Sequence, residues 1–317
     1  MKKIAIIGTG QLGSRHLQGL MSAKTEMNVW VIDQSIESLN IAKERCSQVN
    51  PLTPKIVSYA ESIDALPPKL DLVIVATGSK PRAAIVKSLL EHSIVTYLVL
   101  EKFLFTRIQD FYDIDILLEK KGVKCWVNCP RRMWPVYDTI KQFINPNKPV
   151  FMLNEGNDWG MCCNSVHSID LWMFLAGDSP FIVNMSEVEP EIKNSKRKGY
   201  IELLGKEIFL SENGDAMILG SYADYSGDSK RIILNDGNEI IVKEGEGKWF
   251  INGKEYKVNI PFQSGLTGIL ADEIFETGDC RLTPYKISVQ YHEPYLKAVI
   301  DFVNKVQGVE HDSCPIT

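Results

Sequence analysis

The sequence lacks three features that would place it in a membrane, nucleic-acid-binding or disulfide-stabilised class. No apolar stretch approaches the roughly 18 residues that indicate a membrane span, and glycines interrupt the opening "MKKIAIIGTG" too early for a signal peptide. The net charge is -5 at pH 7, whereas nucleic-acid binding requires a basic face. The seven cysteines include no CxxC pair, which is typical of a reducing compartment. We therefore expect a cytoplasmic protein without nucleic-acid or membrane partners.

Basic charge is concentrated in one place, the run "KNSKRKG" at residues 193–199. We interpret this run as a solvated loop rather than as a phosphate-binding patch. The length of 317 residues suits two domains better than one. The composition, with 44% hydrophobic and 24% charged residues, is that of an ordinary globular protein.

The N-terminal segment predicts a dinucleotide-binding turn. The apolar run "KKIAII" leads into a G-x-G-x-x-G motif, and a helical pattern follows. The first glycine allows a tight turn, the second lets the backbone approach a pyrophosphate, and the third lets helix and strand pack closely. The N-terminus of the helix offers free N–H groups and the positive end of its dipole. The expected cofactor-binding residues of this turn are Gly8, Thr9, Gly10, Gln11, Leu12 and Gly13.

A second strand supplies the context that the glycine motif needs. "NVWVID" ends at Asp33, twenty residues after Gly13, where a carboxylate accepts hydrogen bonds from a ribose. That carboxylate repels a 2′-phosphate, and Gln34 and Ser35 provide no arginine to reverse the preference. The sequence therefore favours NAD, with NADP less favoured. The alternative is a glycine-rich turn in another α/β fold.

Strands and helices continue to alternate after this unit. "LDLVIVAT" ends at Thr77, and "IVTYLVL" delivers Glu101 and Lys102 at its carboxyl end. This alternation predicts a doubly wound parallel sheet with helices on both faces. Ligands of such sheets bind outside the carboxyl ends of the strands. We therefore place Thr77, Glu101 and Lys102 at the cofactor.

Five segments in sequence order resemble the Gfo/Idh/MocA family of oxidoreductases. They are "GTGQLGSRHL", "LDLVIVAT", "LVLEKFLF", "WVNCPRRMWPVY" and "NSVHSIDLWMFLAG". The resemblance covers at least residues 1–177. It implies a Rossmann domain over residues 1–125 and an α+β domain for substrate binding and oligomerisation over residues 126–317. It also implies a homodimer or homotetramer assembled through the sheet of the second domain.

The family motif Glu-Lys-Pro appears here as Glu101, Lys102 and Phe103. The resemblance implies that Lys102 touches both the nicotinamide end of the cofactor and the substrate hydroxyl. The phenylalanine replaces the family's proline. A cis bond before a residue other than proline costs about 3 kcal/mol, so the replacement argues against a cis bond and for a different loop shape.

The family's helix carries an aspartate one turn before a histidine. His167 matches the histidine, whereas the aspartate's place falls on Cys163 or Asn164. At 100° per residue, Cys163, His167 and Asp170 lie on one stripe of the helix. Asp170 either fixes the tautomer of His167 or has a structural role, and we favour the structural role.

Three chemical interpretations fit this helix. Zinc binding by Cys162, Cys163 and His167 is disfavoured, because adjacent helical residues diverge by about 100°. A Cys163–His167 nucleophile pair is possible at this spacing, but no oxyanion loop accompanies it. A proton relay fits better, with His167 as acid–base, Lys102 as electrostatic partner or co-base, and Asn164 as a positioning group. We expect no metal.

The segment "WVNCPRRMWPVY" begins where the two domains are expected to join. Asn128 and Arg131 are expected near the nicotinamide, and Arg132 and Tyr137 are candidates to hold substrate hydroxyls or an anionic group. Arginine forks bind carboxylate or phosphate in bidentate fashion. The predicted substrate-binding residues are Arg131, Arg132, Asn164 and His167.

The second half predicts a largely antiparallel, open sheet. Short apolar strands are separated by Asn213-Gly214, Asp236-Gly237 and Asn252-Gly253, which are typical of hairpin turns. Two helical patterns end the chain, and Pro294 is expected to kink or interrupt the last one.

These features give three functional hypotheses. The first is an NAD-dependent oxidoreductase that acts on a hydroxyl of a sugar, sugar acid, polyol or nucleotide-sugar. The second is an NAD-recycling glycoside hydrolase or epimerase that uses the same lysine and histidine. The third is a non-catalytic sensor of NAD or sugar that has lost catalysis together with the helix acid.

Overall fold

A computed structural model describes all 317 residues, and their contacts divide the chain into two units. The first unit contains residues 1–105, 109–133 and 261–288, and the second contains residues 106–108, 134–260 and 289–317. Residues 261–288 thus join the first unit, although they lie in the second half of the sequence. No helix combines the length and the apolar character that a membrane span requires.

The first 128 residues alternate between strands and α-helices, except that only a short 3-10 helix, Ile63–Ala65, separates the third strand from the fourth. In chain order the elements are β1 (Lys2–Ile7), α1 (Gln11–Leu20), β2 (Met27–Ile32), α2 (Ile36–Ser47), β3 (Lys55–Ala60), β4 (Lys69–Val75), α3 (Ser79–His92), β5 (Ile94–Glu101), α4 (Ile108–Lys121) and β6 (Lys124–Asn128).

The remaining elements are mostly short strands, framed by helices. In chain order they are α5 (Pro135–Lys141), β7 (Phe151–Asn157), α6 (Met161–Ala176), β8 (Phe181–Val188), β9 (Lys193–Asn194), β10 (Ile201–Glu202), β11 (Gly205–Ser211), β12 (Ala216–Tyr222), β13 (Lys230–Asn235), β14 (Asn238–Lys243), β15 (Lys248–Ile251), β16 (Lys254–Lys257), α7 (Gln263–Thr277), β17 (Thr283–Pro284) and α8 (Tyr285–Gln307).

The first unit is built on a seven-stranded sheet in the order β3-β2-β1-β4-β5-β6-β17. Every pair is parallel except β6 with β17, which is antiparallel. The central strands are apolar on both faces, and Ile4, Ile6, Val73 and Leu98 are fully buried. Continuous apolar strands of this kind require helices on both faces, so the predicted doubly wound sheet is confirmed.

The second unit contains an eight-stranded sheet in the order β16-β15-β14-β13-β7-β12-β11-β8. All neighbours are antiparallel except β7 and β12, which are parallel. A hairpin cannot join parallel strands, and the chain between these two contains α6, β8 and β11. The prediction of a largely antiparallel sheet is confirmed, with this one parallel pair added.

The predicted turns of the second sheet have the expected backbone. Asp236 and Gly237 have φ of 48° and 81°, and Asn252 and Gly253 have φ of 48° and 81°, whereas at Asn213-Gly214 only the glycine is left-handed, with φ of 87°. Two successive left-handed residues form the type I′ turn that suits the twist of a hairpin. They connect β13 to β14 and β15 to β16.

The last helix, α8, runs without a break through Pro294. Of the kink or interruption expected at this proline, the interruption does not occur. Proline removes one hydrogen bond from a helix interior, and the buried side chains of Tyr291, Tyr295 and Leu296 on either side anchor the helix.

Candidate active site

The glycine turn between β1 and α1 has the shape that a dinucleotide requires. Gly8 has φ of +88°, and a Cβ added there would meet Thr77 at 2.7 Å. A Cβ on Gly13 would overlap the carbonyl oxygen of Gly8. At Gly10, by contrast, an added Cβ would have no atom within 4 Å. Two glycines are thus required by the protein's own packing, whereas the middle one opens onto free space.

The first turn of α1 faces this space with its backbone N–H groups. The helix begins at Gln11, and no side chain caps it at Gly10. Uncapped N–H groups and the positive end of the helix dipole attract a phosphate. The residues present therefore fit a pyrophosphate.

Asp33 is fixed directly beside the glycine turn. Its Oδ2 accepts hydrogen bonds from the backbone N–H of Thr9 at 2.6 Å and from the Thr9 hydroxyl at 3.1 Å. Its Oδ1 accepts from the N–H of Ser35 at 2.9 Å. The carboxylate is therefore oriented at the tip of β2, as the sequence predicted.

Arg45 is a cation near the turn that the sequence analysis missed. It lies on α2, and its guanidinium donates to Gln11 Oε1 at 2.8 Å and also to the Ser14 hydroxyl. Gln34 and Ser35 supply no cation directly after Asp33, whereas Arg45 reaches α1 from the far end of α2. The charge around the turn therefore depends on a residue outside the local sequence that follows β2.

Lys102 follows β5 and is 9% exposed. The peptide bond between Lys102 and Phe103 is cis, so the cis bond against which the replacement of proline argued is present. The replacement of the family's proline by phenylalanine leaves the cis form in place, within a loop whose carbonyl groups are held by a buried arginine.

That arginine, Arg82 on α3, is 1% exposed. Its guanidinium donates to the carbonyl of Leu104 at 2.8 Å and to the carbonyls of Phe103 and Thr77. One side chain thus joins the loops after β4 and β5. No pattern in the sequence indicates this role, because a lone arginine in the first turns of a helix is usually exposed.

Glu101 lies in a buried polar network rather than at an open surface. Its Oε1 lies 2.8 Å from His16 Nε2 and accepts a hydrogen bond from Asn128, while His16 Nδ1 lies 3.0 Å from Thr267 Oγ1. Burial alone raises the pKa of Glu101, but the hydrogen bonds and charge of His16, the hydrogen bond from Asn128 and the charge of Lys102 outweigh it and hold that pKa below its usual value. Glu101 and Asn128, both predicted near the cofactor, are thus hydrogen-bonded neighbours, and His16, which was not predicted, belongs to the same network.

The predicted residues of α6 differ in their exposure. Cys163, Asn164 and His167 are half-buried, whereas Asp170 is buried. The amide nitrogen of Asn164 donates to the carbonyls of Trp159 and Gly160, both at 3.0 Å. Its Oδ1 is consequently the atom that remains for a ligand, and it acts as an acceptor.

The two vicinal cysteines have different environments. Cys162 is fully buried, and burial, with the charges of Glu202 and Glu207 added, raises the pKa of its thiol well above the ordinary value. Cys163 is half-buried. No group of three or more His, Cys, Asp or Glu side chains forms a metal-binding cluster, so nothing in the structure favours the zinc interpretation.

The remaining candidates fall into both units. Arg131 and Arg132 lie on a short 3-10 helix of the first unit and are half-buried. Tyr137, in the second unit, is fully buried, and its hydroxyl donates to Glu244 Oε1 at 2.6 Å. Tyr137 therefore has a packing role, and its prediction as a substrate ligand is not supported. Lys102 belongs to the first unit and His167 to the second.

A buried carboxyl group beneath α6 was also missed. Glu207 Oε2 lies 2.7 Å from the Ser165 hydroxyl, and Glu207 Oε1 accepts a hydrogen bond from Tyr295 at 2.8 Å. Burial raises the pKa of Glu207 to about 7, although the hydrogen bonds from Ser165 and Tyr295 lower it. The alternating pattern of β11 predicts an inward position for this residue, but not an acid there.

Comparison with known families assigns the N-terminal part of the chain. Residues 2–129 match the oxidoreductase family with an NAD-binding Rossmann fold, Gfo/Idh/MocA. The matched segment contains the glycine turn, Asp33, Lys102 and Asn128. The match agrees with the family resemblance seen in the sequence. No curated protein matches the chain in sequence.

Solved structures share the fold over nearly the whole chain. A UDP-N-acetylglucosamine 3-dehydrogenase from Acidithiobacillus ferrooxidans has a TM-score of 0.73 at 14% identity, over 96% of this chain and 99% of its own. An oxidoreductase from Agrobacterium radiobacter in complex with NAD+, L-tartaric acid and magnesium has a TM-score of 0.71 at 15% identity, over 95% and 96%. A biliverdin reductase from Synechocystis in complex with biliverdin and NADP+ has a TM-score of 0.68 at 15% identity, over 96% and 98%. At these identities the similarity shows the fold alone.

Proposed function

We propose that the protein is an NAD-dependent oxidoreductase that transfers hydride between a hydroxyl-bearing carbon of a sugar-like substrate and the nicotinamide. The observation that carries the proposal is the free space at Gly10, in front of an uncapped helix N-terminus. The match of residues 2–129 to an NAD-binding oxidoreductase family supports it. The substrate class comprises sugars, sugar acids, polyols and nucleotide-sugars.

The proposed roles follow from the chemistry of alcohol oxidation. When bound, the nicotinamide supplies the hydride acceptor, and the substrate hydroxyl must lose a proton to a base. His167 is that acid–base, because a neutral imidazole accepts a proton near neutral pH. The ammonium of Lys102 stabilises negative charge that develops on the substrate oxygen. Asn164 accepts a hydrogen bond from a substrate hydroxyl, and Arg131 and Arg132 contribute to substrate binding.

The proposed cofactor is NAD rather than NADP. The fixed carboxylate of Asp33 at the tip of β2 supports this choice, because it repels a 2′-phosphate. Arg45 is the side chain that opposes it. Titration of the protein with NAD+ and with NADP+ tests this choice, and tighter binding of NAD+ is expected.

Two alternative functions remain open, because the residue at the family's acidic position is not an acid. Cys163 or Asn164 replaces that acid, and neither residue carries a carboxylate. An NAD-recycling hydrolase or epimerase, and a sensor that binds NAD or sugar without turnover, are therefore the alternatives that the experiment must separate.

The test is a panel of sugars incubated with the protein and NAD+, while nicotinamide absorbance and sugar products are both followed. Net NADH formation is the expected result. Product without net NADH would favour the recycling enzyme, and binding without turnover would favour the sensor. His167→Ala should lower kcat at least about a hundredfold and leave NAD+ affinity unchanged. An unaffected rate in this variant would remove His167 from the mechanism.

We also propose that residues 1–125 hold the cofactor, that residues 126–317 provide substrate binding and assembly, and that the protein is cytoplasmic. The assembly is a homodimer or homotetramer formed through the eight-stranded sheet. Six half-buried apolar side chains form one cross-strand row on a single face of that sheet, namely Ile208, Ile218, Leu153, Ile232, Ile241 and Phe250. The contacts of α6 and α8 lie on the opposite face, where Ser165 and Tyr295 meet Glu207. An apolar sheet face of this size supports pairing with a second copy.

A further inference from the structure

A cavity opens at the N-terminal end of α6, entirely within the second unit. Its volume is about 420 Å³, which lies in the range of small-molecule sites. The loop before α6, the first turn of α6 and the hairpin of β9 and β10 form its walls. The side chains that matter for its chemistry are Asp158, Trp159, Asn164, Lys196, Arg197 and Glu202.

One wall of the cavity is a fixed aromatic ring. The indole N–H of Trp159 donates to the carbonyl of Gly220 at 2.7 Å. Behind the ring, a Cβ added to Gly156 would lie 3.1 Å from Trp159 Cδ1, so the indole rests closely on the backbone of β7. A ring held in this way offers an apolar face to the C–H groups of a sugar ring.

A second wall provides acceptors for hydroxyl protons. Asn164 presents Oδ1, because its nitrogen is used by the carbonyls before the helix. The exposed carboxylate of Asp158 lies on the same loop. Glu202 contributes differently, because its Oε2 accepts the N–H of Cys162 at 2.8 Å. The positive end of the α6 dipole offsets that carboxylate.

The third wall carries positive charge. Lys196 makes no hydrogen bond or ion pair within the chain, and Arg197 uses one N–H group to reach Thr317 Oγ1 at 2.7 Å. The rest of the guanidinium fork has the geometry for bidentate binding of a carboxylate or phosphate. The basic run at residues 193–199 was expected to be a solvated loop, but two of its cations line the cavity.

We propose that this cavity binds a hydroxylated sugar that carries an anionic group, either a carboxylate or a phosphate. The hydroxyls meet Asn164 and Asp158, the ring rests on Trp159, and the anion meets Lys196 and Arg197. A neutral polyol has no anionic group with which Lys196 and Arg197 could form charge-assisted hydrogen bonds. The inference rests on the proposed function and narrows its substrate class to anionic sugars.

The test is calorimetric titration of the protein, with and without saturating NAD+, with four probes. D-glucose is the neutral reference, D-glucuronate tests the carboxylate, and D-glucose 6-phosphate and UDP-glucose test the phosphate. At least one anionic probe should bind about tenfold or more tightly than D-glucose, as expected for a charge-assisted contact. Lys196→Gln and Arg197→Gln should each weaken that probe about tenfold without changing the affinity for D-glucose.

Lys198→Gln is the matched control, because Lys198 belongs to the same basic run but does not line the cavity. This variant should bind every probe as the unaltered protein does. The inference is overturned if no anionic probe binds, if D-glucose binds as tightly as the anionic probes, or if Lys198→Gln weakens binding as much as the other two variants.

The titrations also separate this inference from the proposed function. Suppose that an anionic probe binds in a way that depends on Lys196 and Arg197, but that the protein does not bind NAD+. This result would overturn the proposed function and keep the assignment of the cavity. NADH formation from a neutral sugar, at a rate insensitive to both substitutions, would keep the function and overturn the inference.

Discussion

Burial, opposed by two hydrogen bonds, determines the protonation of Glu207 beneath α6. The Ser165 hydroxyl donates to Glu207 Oε2 at 2.7 Å, and the Tyr295 hydroxyl donates to Oε1 at 2.8 Å. Both hydrogen bonds favour the ionised carboxylate and lower its pKa. Burial disfavours the ionised form more strongly, and the pKa of Glu207 is raised to about 7.

The raised pKa of Glu207 predicts the direction of a pH effect on stability. The folded protein keeps this proton up to pH about 7, whereas the unfolded chain loses it near pH 4.5. Between these values unfolding releases a proton, so the free energy of unfolding falls as pH rises, by up to about 3 kcal/mol, and levels off above pH 7. Glu207→Gln should remove this slope in urea unfolding measured from pH 5 to 8.

Glu212→Gln is the control for this prediction, because Glu212 is an exposed acid in the turn after the same strand. It should retain the slope of the unaltered protein. An identical slope in Glu207→Gln and in the unaltered protein would contradict the assignment of Glu207 as the titrating group.

The positions of Lys102 and Asp33 were predictable from the sequence, because each residue directly follows a strand of the parallel sheet. Ligands of such sheets bind outside the carboxyl ends of the strands. His16, Arg45 and Arg82 were missed, because their partners lie far away in the sequence and their types are usually exposed in helices.

At the scale of elements, the local sequence pattern was sufficient to predict features that depend only on neighbouring residues. The buried parallel strands appear as continuous apolar runs, and Asp-Gly and Asn-Gly mark the hairpins around β14 and β15. The parallel pairing of β7 with β12 was not predicted, since pairing depends on which strand becomes the neighbour. For α8 the sequence left open whether Pro294 kinks or interrupts the helix, and the buried side chains around Pro294 hold the helix continuous.

The helix α6 also shows, within one element, what the local sequence pattern can and cannot predict. Its periodicity placed Cys163, His167 and Asp170 on one stripe, and the structure leaves the first two half-buried and buries the third. The use of the Asn164 amide nitrogen for the preceding carbonyls depends on the loop before the helix. Sequence spacing therefore predicted which residues share the face, but not which atom faces a ligand.

At the scale of the whole molecule, the apolar row of the eight-stranded sheet predicts self-association. Ile218→Lys combined with Ile232→Lys places two charges in the middle of the row, where a paired surface would bury them at a cost of several kcal/mol. Light scattering after size exclusion should give a dimer or tetramer for the unaltered protein and a monomer for the double variant, with unchanged circular dichroism.

Ile116→Lys serves as the control, because Ile116 is an exposed apolar residue of α4 in the first unit. This variant should keep the mass of the unaltered protein. A monomeric unaltered protein, or a double variant of unchanged mass, would show that the sheet face is not the interface.

The central claim is that a pyridine nucleotide binds at the glycine turn. The most direct test is to titrate the unaltered protein, Gly10→Ala and Gly13→Ala with NAD+ and NADP+, and to measure the thermal unfolding of each. The unaltered protein should bind NAD+ more tightly than NADP+. Gly10→Ala should unfold at the same temperature but bind NAD+ at least about tenfold more weakly, because its methyl group enters the space for the pyrophosphate. Gly13→Ala should unfold at a clearly lower temperature, since its methyl group overlaps the carbonyl of Gly8. Undiminished NAD+ binding by Gly10→Ala, or no binding by the unaltered protein, would contradict the account.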